Sequence, residues 1–157
     1  MKKLLSVLLV ALLMVGFGSP DLDDKETLDE IIADAIDRDA LQERGEEGEE
    51  LYYGPNEQTP YTGWAKGMYD NGQVRQLGQF KDGKQDGVAT RWYESGQEKQ
   101  EINYKDDKPI SAEAWKPNGE KCPVTNVKNG NGVVVWYNED GTEQESMAYR
   151  EGELVED

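Results

Sequence analysis

Between Gly87 and Lys105 apolar and polar residues alternate in two runs separated by Tyr93-Glu94-Ser95-Gly96. Val88, Thr90 and Trp92 fall on one side of the first run, with Ala89, Arg91 and Tyr93 on the other; Ile102 and Tyr104 share a side of the second. A period of two predicts strands, and a turn-forming stretch between them predicts a hairpin. The pattern further predicts one side carrying Trp, Tyr and Ile and another carrying Arg, Lys, Gln and Glu. Upstream the period changes. Leu28, Ile31, Ile32, Ala35 and Ile36 stand at i, i+3, i+4, i+7 and i+8, one stripe of an amphipathic α-helix. Thr27 and Glu30 have the form of a capping box, while Asp23 and Asp24 offer an earlier start. Gly45 and Gly48 end the helical pattern, and Glu43–Glu50 reads as a flexible charged linker.

The hairpin recurs. Gly72, Gly96, Gly119 and Gly141 are spaced by 24, 23 and 22 residues, each closing a turn-forming stretch. Asn-Gly and Asp-Gly supply the positive φ of a tight turn. Eight residues after each glycine come Phe80, Tyr104, Val127 and Tyr149; eleven after come Gly83, Asp107, Gly130 and Gly152. Bulky Met68, Trp92, Trp115 and Trp136 precede the turns, and Gly63, Gly87 and Gly132 stand nine before, where the third unit has Ile110. Each unit reads as strand, tight turn, strand, second turn, and a lone hairpin is marginal, so the units should fold together. The predicted fold is mainly β: an extended antiparallel sheet or meander of tandem hairpins, preceded by a short acidic amphipathic helix. Its divisions are a leader at 1–18, helix and linker at 19–50, and four repeats within 51–157, at about 61–85, 86–109, 110–131 and 132–153. Pro109, Ile110 and Pro123 make the third unit irregular or an edge, one additional residue after Trp136 predicts a bulge or wider loop in the fourth, and the exposed edge strands need cover or charge, which the acidic preface and the tail from Gly152 to Asp157 can supply.

Trp92-Tyr93-Glu94-Ser95-Gly96-Gln97 and Phe80-Lys81-Asp82-Gly83-Lys84 resemble the units of the MORN-repeat variant family, the YwqK-type antitoxin-like repeat proteins. The resemblance spans Tyr61 to Glu153. It implies an extended antiparallel sheet without catalytic activity, and it suggests an antitoxin-like role.

Met1-Lys2-Lys3, the apolar run Leu4 to Val15, and Gly16, Gly18 and Ser19 have the form of a secretory signal peptide cleaved after Gly18. The run is shorter than the roughly 20 residues of a membrane span. Phe17 stands where a lipoprotein signal needs Cys. The expected product is exported, to periplasm, cell surface or medium, with no stable membrane span after cleavage and lipid anchoring disfavoured. Beyond Gly18 the chain holds 15 bases against 33 acids, a net of −18, with no basic stripe, which argues against nucleic acid. Such acidity also serves solubility alone. From Asp21 to Glu50 the net is −11. The helix there is either a docking arm for a partner or a segment that lies on the repeats or fluctuates in solvent.

There is no His, the commonest general base and metal ligand, so enzyme activity, cofactors and a metal centre are not expected. Cys122 is alone, either a small apolar residue or a point of intermolecular pairing. A glycosidase-like carboxylate pair is possible by composition, with Glu94 and Asp140 on turns; Asp70-Asn71-Gly72 and Asp106-Asp107 lack a full calcium loop; no phosphate-binding loop precedes a helix. The candidate contact residues are aromatic: Trp64, Tyr69, Trp92, Tyr93, Trp115, Trp136 and Tyr137. Such rings stack on sugars or anchor a protein interface, and packing between hairpins accounts for the same residues. The expected partner is a protein, basic in one version, or an envelope polymer. The readings are a binding or scaffolding module, a structural envelope protein, and an antitoxin-like inhibitor of a basic toxin.

Overall fold

The computed structural model describes residues 20–155; the segment 1–18 expected to be a leader and the last two residues of the tail lie outside the described residues. The chain is mainly β. Helix α1 (Lys25–Asp34) is followed by β1 (Ile36–Asp37), a 3₁₀ turn at Arg38–Ala40, β2 (Gln42–Arg44) and β3 (Leu51–Tyr53). The hairpin array then runs β4 (Gly63–Met68), β5 (Val74–Lys81), β6 (Lys84–Trp92), β7 (Glu98–Lys105), β8 (Lys108–Ala114), β9 (Gly132–Tyr137), β10 (Glu143–Arg150) and β11 (Glu153–Leu154). Strands β4 to β8 form an antiparallel meander with β1 added parallel to β4; β9, β10 and β11 form a second sheet, and β2 pairs with β3. The stretch read as a linker thus contributes Glu43 and Arg44 to a short strand pair.

One turn geometry recurs four times. In the second unit Gly96 N–H donates to the Tyr93 carbonyl at 2.8 Å, Tyr93 N–H donates to the Gln97 carbonyl at 2.8 Å, and Gly96 sits at φ 87°. Only glycine adopts that φ without strain. The residue before each turn glycine (Asn71, Ser95, Asn118, Asp140) accepts from the N–H of the residue after it, which is why the position carries a short oxygen-bearing side chain. In the first, second and fourth units one residue past the turn, Arg75, Lys99 or Gln144, is skipped in the pairing as a bulge. The upstream glycine has its own reason: a Cβ on Gly87, at φ +113°, would overlap the Gln79 amide. Turn tyrosines stitch neighbours together, Tyr69 donating to the Trp92 carbonyl at 2.8 Å and Tyr93 to the Trp115 carbonyl at 2.7 Å.

Register corrects two expectations. Ile102 pairs with Ala89 and Tyr104 with Gly87, so they lie on the side opposite Trp92; the large apolar groups divide between both sides. In the fourth unit Gly132 keeps its place and the turn is the same as elsewhere, so the bulge there, at Gln144, is the one shared with the first and second units and no residue is added before Gly141. Instead Tyr137 occupies the position of Trp92, and Trp136 moves one place back to that of Arg91, hence to the other side. The third unit is irregular in its return segment, where Pro123 stands, while Pro109 lies within β8 opposite Tyr104 at a register shift. Its return segment carries isolated bridges only, and the Thr125 and Asn126 side-chain oxygens accept from Val135 and Val133 N–H at 3.0 Å, standing in for lost ladder acceptors. This segment joins the two sheets.

The acidic preface wraps one edge of the meander. Asp24 caps α1, accepting from Thr27 N–H at 2.8 Å, which selects the earlier start over the capping box. Leu22, Leu28 and Ile31 pack on Leu77, Trp92 and Ala35, and Lys66 Nζ donates to the Ile32 carbonyl at 2.6 Å, so the helix lies on the repeats. Ala35 ends the helix and Ile36 leaves the stripe to pair with Ala65. Past β1 the chain crosses to the other side, where Tyr52 stacks edge-on against Phe80 at 5.4 Å. The sheet therefore has a helix-covered side and an opposite side, both partly buried. On the opposite side Ile102, Ala112, Val127 and Val134 are buried together, with Tyr104, Trp136 and Tyr149 against them. At the far edge β11 covers β10. No helix among the described residues is long and apolar enough to cross a membrane.

Candidate binding cleft

Beyond the end of α1 the helix-covered side is open over β6, β7 and β8. A cleft of about 680 Å³ lies there, with Val88, Thr90, Trp92, Glu98, Glu101, Asn103, Glu113 and Trp115 as floor and the segment Pro20–Asp23 as one wall. Pairing fixes its geometry. Glu98 is opposite Trp92, and Thr90, Glu101 and Glu113 stand abreast on three adjacent strands. Neighbouring strands are about 4.8 Å apart, so Glu101 and Glu113 are directly opposed like charges, an arrangement that destabilises a sheet. Asp21 and Asp23 add acidity from the wall. The counter-charge is Lys121, whose Nζ lies 2.7 Å from Glu113 and 5.9 Å from the centre of the Trp115 ring.

Burial pushes the Glu98 carboxyl up to about 7, with further lifting from Glu101, Asp23 and Glu113. Glu101 is raised for the same reasons, burial first and then Glu113 and Asp23. Thr90 is 1% exposed and its hydroxyl has no hydrogen-bond partner. A second trough of about 730 Å³ continues from Glu101, Asn103 and Glu113 to Ser111, Lys121 and Asn126. Among the described residues no group of three His, Cys, Asp or Glu is placed to hold a metal ion. What the cleft offers is acceptors and aromatic edges spread along a groove, which suits ammonium or guanidinium groups on a chain.

The aromatic candidates disperse. Trp92 and Trp115 line the cleft. Trp64 packs with Trp92 and Leu77 beside the helix. Tyr93, fully buried, and Tyr137 form a core with Cys122, whose Sγ accepts from the Tyr137 hydroxyl at 3.0 Å. Trp136 lies on the opposite side beneath Arg91, and Tyr69 lines a separate recess with Arg75 and Lys99. The turn acids Glu94 and Asp140 do not line the cleft. Sequence reasoning missed Glu98, Glu101 and Glu113. Strict alternation puts Glu98 and Glu101 on opposite sides, and only the bulge at Lys99 brings them together. The bulge is read only from the pairing, where it recurs in the first, second and fourth units. Comparison with protein-family models, curated proteins and solved structures finds no match for the chain.

Proposed function

We propose that this is a non-catalytic, exported repeat module that binds a protein through the acidic cleft, taking Lys or Arg side chains of a basic partner between Trp92 and Trp115. One observation carries the reading: Glu101 and Glu113 are held opposite each other, with Glu98 on the same floor. Lys121 offsets Glu113 alone, so the repulsion that remains among Glu101, Glu98 and Glu113 costs stability and is relieved by a bound cation. The four units in register support kinship with MORN-repeat variant proteins, and the leader-like first 18 residues support export. An antitoxin-like inhibitor that covers a basic toxin is the specific form of this reading.

The test uses the full chain beyond Gly18 and a mixed Lys/Arg peptide, titrated by calorimetry at low and high salt. Binding is expected, weaker at high salt. Glu101→Gln and Trp115→Ala are each expected to weaken it about tenfold, with the circular dichroism spectrum unchanged. Retention on an envelope polysaccharide, undiminished by Glu101→Gln and with no peptide binding, would replace the basic partner by a neutral polymer.

A further inference from the structure

The opposite side of the same strands holds a second recess of reversed chemistry. Ala65, Gly78, Ala89 and Ile102 form one rung across β4, β5, β6 and β7, and Gln76, Arg91 and Gln100 form the next rung on β5, β6 and β7. The first rung has little side-chain volume in its first three positions, so it leaves a floor beside the wall that the second rung raises. Arg38, Tyr104, Gln85, Leu77 and Thr90 complete the lining of a cavity of about 20 Å³. That is room for one or two water-sized groups.

The lining has a surplus of donors. Every ion pair among the described residues uses a lysine, so neither Arg38 nor Arg91 is matched by a carboxylate, in a chain holding 33 acids. Gln100 is 3% exposed and its Nε2 has no hydrogen-bond partner. Arg91 Cζ lies 4.3 Å over the centre of the Trp136 ring and Arg38 Cζ lies 5.6 and 5.4 Å over Tyr52 and Phe80, contacts that hold the side chains without neutralising them. Burial lowers the pKa of Arg91, and Arg38 and Arg75 lower it further, with only the Tyr104 and Tyr149 phenols acting the other way. A desolvated guanidinium and an unpartnered buried amide facing one small space are costly to leave empty-handed.

We propose that the recess between Arg38 and Arg91 is a carboxylate-binding site, in which one planar carboxylate takes the Arg91 fork and the Gln100 amide. The planar, two-oxygen group matches both the guanidinium geometry and the narrow volume, whereas a nucleotide or sugar exceeds the space. The site lies across the sheet from the acidic cleft and does not rest on the function assigned to it.

The test is a thermal-shift and calorimetric titration of the full chain beyond Gly18 with sodium acetate, against sodium chloride at matched ionic strength. Acetate is expected to raise the melting temperature saturably, and chloride to leave it unchanged. Arg91→Lys, which keeps charge but loses the fork, should weaken the acetate response about tenfold, and Gln100→Leu by a smaller factor. Should Arg91→Lys fail to fold, Arg38→Gln in the half-exposed 3₁₀ turn gives the same readout. A short peptide with a free C-terminus, compared with its amide, separates the sources: preference for the free acid assigns a chain terminus, and peptide binding no tighter than acetate assigns a small organic acid. Equal response to acetate and chloride, or an acetate response unaltered by both arginine variants, would overturn the site and leave a pocket for water.

Discussion

Strands β6 and β7 present two opposed chemistries from one pair of backbones. On the helix-covered side Thr90 and Trp92 face Glu101 and Glu98; on the other, Ala89 and Arg91 face Ile102 and Gln100. Period-2 alternation makes this possible, because neighbouring residues share a strand but not an environment. Carboxylates gather on one side and guanidinium groups on the other, although they are separated only by the thickness of the sheet. Pairing them would have been the stabilising choice. Each cluster gains when a group of opposite charge arrives, which is the basis of both proposed sites.

A slip of the strands by one residue would exchange the two sides. Gly87 guards against that. It begins the part of β6 that pairs with β7, at φ +113°, with the Gln79 amide occupying the space of a Cβ. Gly87→Val is expected to cost about 3 kcal/mol from strain and overlap, measured by urea unfolding, and to abolish both cation and carboxylate binding. Gly72→Ala tests the assignment: nothing lies within 4 Å of its Cβ, and at φ +84° only the backbone penalty of about 1 kcal/mol applies.

The contrast also shows how far the residues themselves can be read. Turn glycines at Gly72, Gly96, Gly119 and Gly141 are legible because a positive φ leaves glycine almost no substitute, and the hairpin array follows from their spacing. The helix is legible from five residues on one stripe, although its docking depends on Leu77 and Trp92, which no local pattern connects to it. The two recesses are not legible. Both depend on register, and the bulge at Lys99 shifts parity midway through a hairpin. Counting by twos from Ile102 therefore assigns it to the side of Trp92, when its actual neighbours are Ala89 and Ala112. Trp136 misleads for a related reason, being one residue out of step with Trp92 while its turn is unchanged.

A smaller effect sharpens the comparison by moving one end of the acidic cleft alone. Tyr93 is fully buried, and its hydroxyl donates to the carbonyl of Trp115, which lines the cleft. Tyr93→Phe leaves that carbonyl short of a partner and is expected to cost about 1.5 kcal/mol. Binding of the basic peptide should weaken with it, because Trp115 loses its tether, while the acetate response across the sheet remains. Loss of both responses together would mean that the two recesses are not independent.

The smallest effect separates function from stability within the cleft. Glu98 titrates at about 7 in the folded protein, against 4.5 for an ordinary glutamate, because it is half-buried among Glu101, Asp23 and Glu113, with Lys121 engaged by Glu113. A folded pKa above the unfolded one means that the native state holds the proton more tightly. Its contribution is therefore complete below about pH 4.5 and is lost as pH rises through about 7. Glu98→Gln should flatten that slope and stabilise the protein at pH 8 by about 1 kcal/mol, the figure being reduced for the solvent that reaches a half-exposed group. The same substitution should weaken the basic peptide. In the parent protein a bound cation favours the ionised form, so affinity should rise with pH through this window and binding at pH 6.5 should release a proton, seen as a calorimetric heat that changes with buffer ionisation enthalpy. A variant that is both more stable and a poorer binder is what a carboxylate kept for a partner produces. Lower stability at pH 8 would instead make Glu98 part of the framework.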